Sequence, residues 1–98
     1  MKIEILDHAK QDLISGYWFY EKQAPGLGSY FLDTLSSDID SLLLYAGSHP
    51  VIHGCHRSLS RRFPFAVYYR LEDNTVRVRA VLDCRQRPAR TRRRLTEE

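Results

Sequence analysis

Residues 65–82 read FAVYYRLEDNTVRVRAVL, and this stretch decides the fold class. Apolar and polar side chains alternate on both sides of residues 72–74, and β-branched and aromatic residues dominate both arms. A period of two is typical of strands, and a polar turn between two such runs predicts a β-hairpin. The alternation predicts that the core-facing side chains are Phe65, Val67, Tyr69 and Leu71 in the first arm and Val76, Val78, Ala80 and Leu82 in the second.

Two helical periods precede the hairpin. Apolar residues three and four positions apart predict a first helix over residues 8–23, with Asp7 as its N-cap. Pro25 and Gly26 interrupt the pattern, and the second helix then continues until about Gly47. The second helix is predicted from a longer apolar stripe, which consists of Leu27, Phe31, Leu35, Ile39, Leu42, Leu43 and Ala46.

Two shorter alternating runs complete the order of elements. Residues 2–5 and 57–60 each predict a short strand, with a loop over 47–56. The sum is β-α-α-β-β-β, an α+β fold in which a mainly antiparallel sheet carries a two-helix hairpin on one face. A chain of 98 residues suits one core, so we expect residues 1–98 to form a single domain. The sequence leaves open whether the basic tail, residues 89–98, is ordered or disordered.

Charge is divided unevenly between the two halves of the chain. Residues 1–50 carry three lysines and seven acids, whereas residues 51–98 carry twelve arginines, no lysine and five acids, so the formal charges are −4 and +7. Because arginine makes forked contacts to phosphate and carboxylate, this asymmetry indicates an anionic partner, either nucleic acid or an acidic protein segment. For the arginines of residues 90–94 a solvated surface and a frayed tail are an equally open interpretation.

Two sets of residues are candidates for contact with a partner. Arg70, Arg77 and Arg79 are expected on the sheet face opposite the core, where their charge predicts the sign of a partner but not its identity. The aromatic run at 17–20 is too wide for one helical stripe, so part of it either forms an exposed apolar patch or packs against the sheet edge. The candidate binding residues are Trp18, Phe19, Arg57, Arg61, Arg62, Arg70, Arg77, Arg79, Arg85 and Arg87.

Few side chains in this sequence suit acid–base catalysis. Arginine rarely exchanges protons, the last lysine is Lys22, and no tyrosine or histidine follows Tyr69. His53 and His56 are the remaining proton carriers, and they are candidates to act with Arg61 and Arg62; the alternative is that both are ordinary residues of a surface loop. The other two histidines, His8 and His49, flank predicted helices and have no functional case.

The cysteines and histidines do not predict a metal site. His53, Cys55 and His56 are ligand types that zinc accepts, but their spacing differs from that of paired zinc ligands, so we expect no metal and no cofactor. Cys55 and Cys84 are expected to be free thiols. The sequence has no apolar run of membrane-spanning length and no signal-peptide pattern, so we expect a cytoplasmic protein without a membrane partner.

Several strings, in this order, resemble the RelE/ParE superfamily of type II toxin–antitoxin toxins. The resemblance is strongest to the ParE-like branch, whose members are often labelled plasmid stabilisation proteins, and it covers about residues 3–88. One departure is Asp83, because family members commonly carry a histidine at the matching position. The residues on which the resemblance rests are Ala9 and Asp12-Leu13, YWFY at 17–20, PGLG at 25–28, Phe31-Leu32, RRFPFAVYYR at 61–70 and VLDCRQRP at 81–88.

The resemblance implies a small toxin that a cognate antitoxin neutralises by wrapping its C-terminal segment around the helices and sheet. ParE-like toxins poison DNA gyrase, whereas RelE-like toxins cleave messenger RNA in the ribosome. We favour a ParE-like inhibitor of growth that acts by binding and is not an enzyme. The alternatives are a metal-independent endoribonuclease with His53 or His56 as proton carrier, and a degenerate member that binds an antitoxin without toxicity. The sequence leaves open a homodimer or a heterotetramer with the antitoxin.

Overall fold

The computed structural model describes residues 1–97 as one five-stranded sheet with four helices. The strands lie in the order β1-β5-β4-β3-β2, and β1 runs parallel to β5 while the other neighbours are antiparallel. The predicted α+β class with a mainly antiparallel sheet is confirmed. The elements are β1 (Lys2–Ile5), α1 (Asp7–Glu21), α2 (Leu27–Asp40), α3 (Leu42–Tyr45), β2 (Val51–Ile52), β3 (Cys55–Leu59), β4 (Phe65–Glu72), β5 (Thr75–Asp83) and α4 (Pro88–Thr96).

The observed elements differ from the predicted ones at three points. Asp7 is the first residue of α1 and not its N-cap, which is Leu6. The long second helix is broken at Ser41, whose hydroxyl donates to the Asp38 carbonyl at 2.6 Å and so competes with the backbone ladder. The loop expected over 47–56 contains β2. None of the helices within residues 1–97 has the length and apolar character needed to cross a membrane.

α1 and α2 form the predicted hairpin, and two glycines set how closely they approach. A Cβ atom added at Gly16 would lie 2.4 Å from the Phe31 ring, and one added at Gly28 would lie 2.7 Å from the Tyr17 carbonyl oxygen. The link between the helices is closed by Glu21, whose carboxylate accepts the N–H groups of Gly26 at 3.1 Å and Gly28 at 2.9 Å. These N–H groups begin α2 and need partners from outside the helix, so Glu21 stabilises its start.

The main core lies between this hairpin and the sheet. At its centre four aromatic rings, those of Tyr20, Phe31, Phe63 and Phe65, pack with centroids 4.9–6.2 Å apart. Leu43 and Leu71, which were expected in the core, are exposed. Leu43 leaves the stripe because it follows the break at Ser41. The fully packed positions of the core include Ala9, Leu35, Ile39, Val67, Tyr69, Val76, Val78 and Val81.

A β-bulge reverses the faces of β5 halfway along its length. Tyr69 pairs with Val78 but Tyr68 pairs with Ala80, so Arg79 is the extra residue. Before the bulge Val76 and Val78 face the helices, and after it Val81 does, while Ala80 and Leu82 face the other way. The expectation that all four alternating residues of β5 share the main core was therefore wrong, because one inserted residue shifts the alternation by one position.

The second face of the sheet has a smaller core of its own under α4. Leu95 of α4 is fully buried there in a cluster with Cys55, Ala66, Tyr68, Ala80 and Leu82. Arg94 fixes the helix by donating two hydrogen bonds of 2.8 Å to the Asp12 carboxylate, which also accepts the Val81 N–H at 3.0 Å. The tail whose order the sequence left open thus forms a helix over Pro88–Thr96.

Gly28→Ala is expected to destabilise the protein by about 1–3 kcal/mol, because the added methyl group would overlap the Tyr17 backbone. Ser29→Ala, at the adjacent exposed position, is the matched control and should change the free energy of unfolding by less than about 0.5 kcal/mol. Urea unfolding followed by circular dichroism measures both. An unchanged or raised midpoint for Gly28→Ala would contradict the close approach of the two helices.

Candidate functional site

The outer side of α1 exposes a ridge of large apolar side chains. Ile14, Trp18 and Phe19, here called the α1 patch, are 49%, 54% and 52% exposed. The Trp18 ring stands edge-on to Tyr17 at 4.9 Å, and Phe19 stands edge-on to the buried Tyr20 at 5.0 Å. Of the two arrangements left open by the sequence, the structure has the exposed one. Because Trp18 and Phe19 each pack against a neighbouring ring of α1, the patch is a preformed apolar surface.

A groove beside the α1 patch connects it to the end of the sheet. Its volume is about 280 Å³, and Gly16 and Phe19 of α1 face Phe65, Val81 and Leu82 across it. Asp12 and Asp83 also line it. Apolar walls with two acidic side chains suit an amphipathic protein segment better than a polyanion.

The predicted arginine face carries fewer open charges than the sequence indicates. Arg70 and Arg77 are cross-strand partners, but Arg77 forms ion pairs with Glu4 and Glu72, the second at 3.0 Å. Arg79 lies in the bulge and donates to the Glu97 carbonyl at 2.9 Å. Part of the expected cationic surface is therefore neutralised within the chain.

Arg57 lies beside two groups with shifted pKa values. It is the cross-strand partner of Tyr68, and its buried Nε has no hydrogen-bond partner among residues 1–97. Burial raises the pKa of the Tyr68 hydroxyl, and partial desolvation of the sulfur raises that of the Cys84 thiol although the residue as a whole is exposed; the charge of Arg57 opposes both shifts. Both groups stay protonated near neutral pH, so neither the phenolate nor the thiolate is available as a base or nucleophile.

Arg61 and Arg62 lie apart from the sheet face, in the loop between β3 and β4. Ser60 of this loop donates to the Asp38 carboxylate of α2 at 2.6 Å, and Arg61 Nε lies 3.8 Å from the same carboxylate. Arg62 donates to the Tyr30 hydroxyl at 3.2 Å. The loop therefore places these two arginines over α2.

Asp83, the departure from the family pattern, is paired with its neighbour Arg85. The Arg85 guanidinium donates to both carboxylate oxygens, at 2.9 and 2.7 Å, and these hydrogen bonds hold the pKa of Asp83 below its ordinary value. Asp83 is thus ionised at neutral pH and carries no proton to donate. Arg87 is exposed immediately before α4.

The two histidine candidates do not meet Arg61 and Arg62. His53 is exposed in the turn between β2 and β3, with a left-handed φ of 52°. His56 stacks on Tyr69 with the ring centroids 5.0 Å apart. Ser60, next to Arg61, lies four positions after His56, which corresponds to about 13 Å at the rise of a strand.

His49 and His8, which have no functional role predicted from the sequence, both lie near other functional groups. His49 Nδ1 lies 2.5 Å from the Tyr69 hydroxyl, which also accepts the Gly47 N–H at 2.9 Å. His8 lines a cleft of about 370 Å³ together with Arg79 and Arg94. Both arrangements join residues at least 20 positions apart, so no local spacing could have shown them.

Burial is the main cause that lowers the pKa of His49, and the charge of His56 lowers it further. The lowered pKa favours the neutral His49 ring, and a neutral ring with an unprotonated Nδ1 accepts the Tyr69 hydroxyl proton. His56 reinforces the loop through its Nδ1, which lies 2.8 Å from the His49 carbonyl oxygen. The cluster therefore holds residues 47–49 against β4.

No metal ligands converge within the described part of the chain. No group of three or more His, Cys, Asp or Glu side chains among residues 1–97 is arranged to hold a metal ion. Cys55 is buried and Cys84 is exposed, and both are free thiols.

Acidification should destabilise the protein through His49. Its pKa is lowered in the folded state but is about 6.5 in the unfolded chain, so the unfolded state binds more protons as the pH falls below 6.5. The urea midpoint should fall between pH 7.5 and 5.5, and it should fall less in His49→Gln. His53→Gln, at an exposed position, is the control and should keep the wild-type pH dependence. Equal pH dependence in His49→Gln and wild type would contradict this assignment.

Comparison with known proteins gave no match to a protein-family model and none to a curated protein. Among solved structures, the chain is similar to one titled "Chromosomal ParDE TA system from P. aeruginosa", with a TM-score of 0.76 and 17% sequence identity over 83% of this chain and 92% of that chain. Identity this low shows the fold alone. The chain thus shares its fold with a chain of a ParDE system, which agrees with the fold expected from the sequence.

Proposed function

We propose that this chain is a single toxin domain of a bacterial type II toxin–antitoxin pair and that it stops growth by binding a cytoplasmic target. The observation that carries the proposal is the fold, which is shared with a solved chain of a ParDE system. The ParE-like resemblance of the strings at 17–28 and 61–70 makes DNA gyrase the proposed target.

The chemistry of the arginine surface supports binding without turnover. RNA cleavage needs a group that removes the proton of the 2′-hydroxyl and a group that protonates the leaving oxygen. Tyr68 and Cys84 remain protonated, whereas Asp83 remains ionised, so none of the three exchanges a proton near pH 7. His56 is stacked on Tyr69, and its Nδ1 is engaged by the His49 carbonyl oxygen. The charged groups therefore suit recognition of a partner better than acid–base work.

The α1 patch supports an antitoxin as the second partner. Three large apolar side chains about half exposed on one helix are unusual for a protein that remains alone in water. The adjoining groove of about 280 Å³ gives an apolar segment a place to insert beside Phe19. An antitoxin segment that covers the patch and the groove would bury this surface and neutralise the toxin.

One observation keeps the endoribonuclease as a second candidate. His8 is exposed and shares a cleft with Arg79 and Arg94, which places a proton carrier beside two cations. Cations beside a proton carrier stabilise a phosphorane, but here Asp7 and Glu97 line the same cleft and Asp12 already engages Arg94. The two candidates differ in whether toxicity depends on a histidine.

The test is inducible expression in bacteria, with growth, transcript integrity and the DNA-damage response followed together. The variants His8→Ala, His53→Ala and His56→Phe each remove one proton carrier, and the last keeps a ring on Tyr69. We expect wild type and all three variants to arrest growth equally, with a DNA-damage response and intact transcripts. Circular dichroism confirms that each variant is folded.

Two outcomes would contradict the proposed inhibitor. Codon-positioned transcript cleavage that is lost in one histidine variant would establish the endoribonuclease instead. No growth arrest at confirmed expression would establish a non-toxic member of the fold, the third alternative raised by Asp83.

A further inference from the structure

A polar cleft separates α2 from the loop of residues 60–64 that joins β3 to β4. Its volume is about 530 Å³. Tyr30, Thr34 and Ser37 line it from α2, and Arg61 and Arg62 line it from the loop. Asp33 and Asp38 of α2 also line it, so the site for an anion is the part of the cleft between the two guanidinium groups and the hydroxyl groups.

The loop that carries the two arginines is held at both ends. At its start, Ser60 donates to the Asp38 carboxylate at 2.6 Å. At its end, the Phe63 ring packs 4.9 Å from Tyr20 and 5.2 Å from Phe31, and the Pro64 carbonyl accepts the Cys84 N–H at 2.7 Å. The backbone at Arg61 and Arg62 is therefore ordered before any partner arrives.

The arginine side chains remain open to solvent although their backbone is fixed. The Arg61 side chain is 77% exposed, and its ion pair with Asp38, at 3.8 Å, is too long to use a hydrogen-bond donor of the guanidinium group. The contact of Arg62 is with the hydroxyl of Tyr30, a neutral group. Both guanidinium groups thus keep most of their hydrogen-bonding capacity for a ligand from outside.

We infer that this cleft docks a carboxylate side chain of a partner protein, held between Arg61 and Arg62. The inference rests on the proposed function in one respect, because that function makes the partner the antitoxin. Guanidinium groups bind a carboxylate through paired, charge-assisted hydrogen bonds. Because the loop is ordered in advance, docking costs less conformational entropy than it would on a flexible loop.

The acids in the cleft favour a protein partner over nucleic acid. Asp33 lines the same space and the buried Asp38 lies beneath it. A nucleic-acid strand carries a charge at every phosphate, so it would bring further negative charges against Asp33. A peptide places a single carboxylate between the arginines and a neighbouring apolar side chain on the exposed ring of Tyr30.

The test is an NMR titration of the 15N-labelled chain at low ionic strength with three probes. They are a capped 12-residue peptide of Ser and Leu with one central Glu, the same peptide with Gln in place of Glu, and a 12-nucleotide single-stranded RNA. The protein variants are Arg61→Glu/Arg62→Glu and the matched charge control Arg90→Glu/Arg92→Glu, whose arginines are exposed on α4.

We expect the Glu peptide to shift the amide resonances of residues 60–64 and of α2. Its affinity should fall at least tenfold in Arg61→Glu/Arg62→Glu and less than twofold in Arg90→Glu/Arg92→Glu. Equal binding of the Gln peptide, a larger response to the RNA, or no shift in residues 60–64 would each overturn the inference.

The peptide titration and the growth assay can disagree, so the inference and the proposed function are tested separately. Growth arrest without binding of the Glu peptide at residues 60–64 overturns the inference and leaves the toxin proposal intact. Binding of the peptide without growth arrest establishes the carboxylate site and removes the toxin proposal.

Discussion

The carboxylate of Asp12 joins three parts of the molecule, namely α1, β5 and α4. It lies on α1, accepts the Val81 N–H of β5 and holds the Arg94 guanidinium of α4 at 2.8 Å. Its side chain is 13% exposed, so loss of Arg94 would leave a nearly buried carboxylate with one donor. Breaking such a pair typically costs about 3–5 kcal/mol. The position of α4, and with it the second face of the sheet, depends on this contact.

The bulge at Arg79 and the packing of α4 together determine which arginine side chains are accessible to a partner. The bulge moves Ala80 and Leu82 to the second face, where they give Leu95 of α4 an apolar surface to cover. The arginines of the sheet then lie around this small core, and Arg77 and Arg79 are partly satisfied within the chain. The open pair, Arg61 and Arg62, lies instead on the loop over α2. A uniform cationic sheet face therefore does not exist, and recognition is divided between separate surfaces.

Local periodicity predicts most of this fold, and long-range contacts account for what it misses. The alternation on either side of residues 72–74 predicts both long strands, because each residue there faces one side of a sheet. The bulge at Arg79 has no local signal, since neither glycine nor proline marks it. The contact between His49 and Tyr69 and that between Asp12 and Arg94 also join distant positions, so they follow only from the assembled fold. Among the candidate site residues, the width of the aromatic run leaves two arrangements of Trp18 open, and the fold decides for the exposed one. The pairing of Asp83 with Arg85 requires the turn after β5.

The central claim is that the chain acts by occupying its target and not by consuming a substrate. The most direct measurement titrates the purified chain into purified DNA gyrase and, separately, into ribosomes translating a defined messenger RNA. The account predicts loss of supercoiling that saturates as the chain reaches the concentration of gyrase, with the messenger RNA intact throughout. Cleavage of many transcripts per chain on the ribosome, with gyrase unaffected, would contradict it.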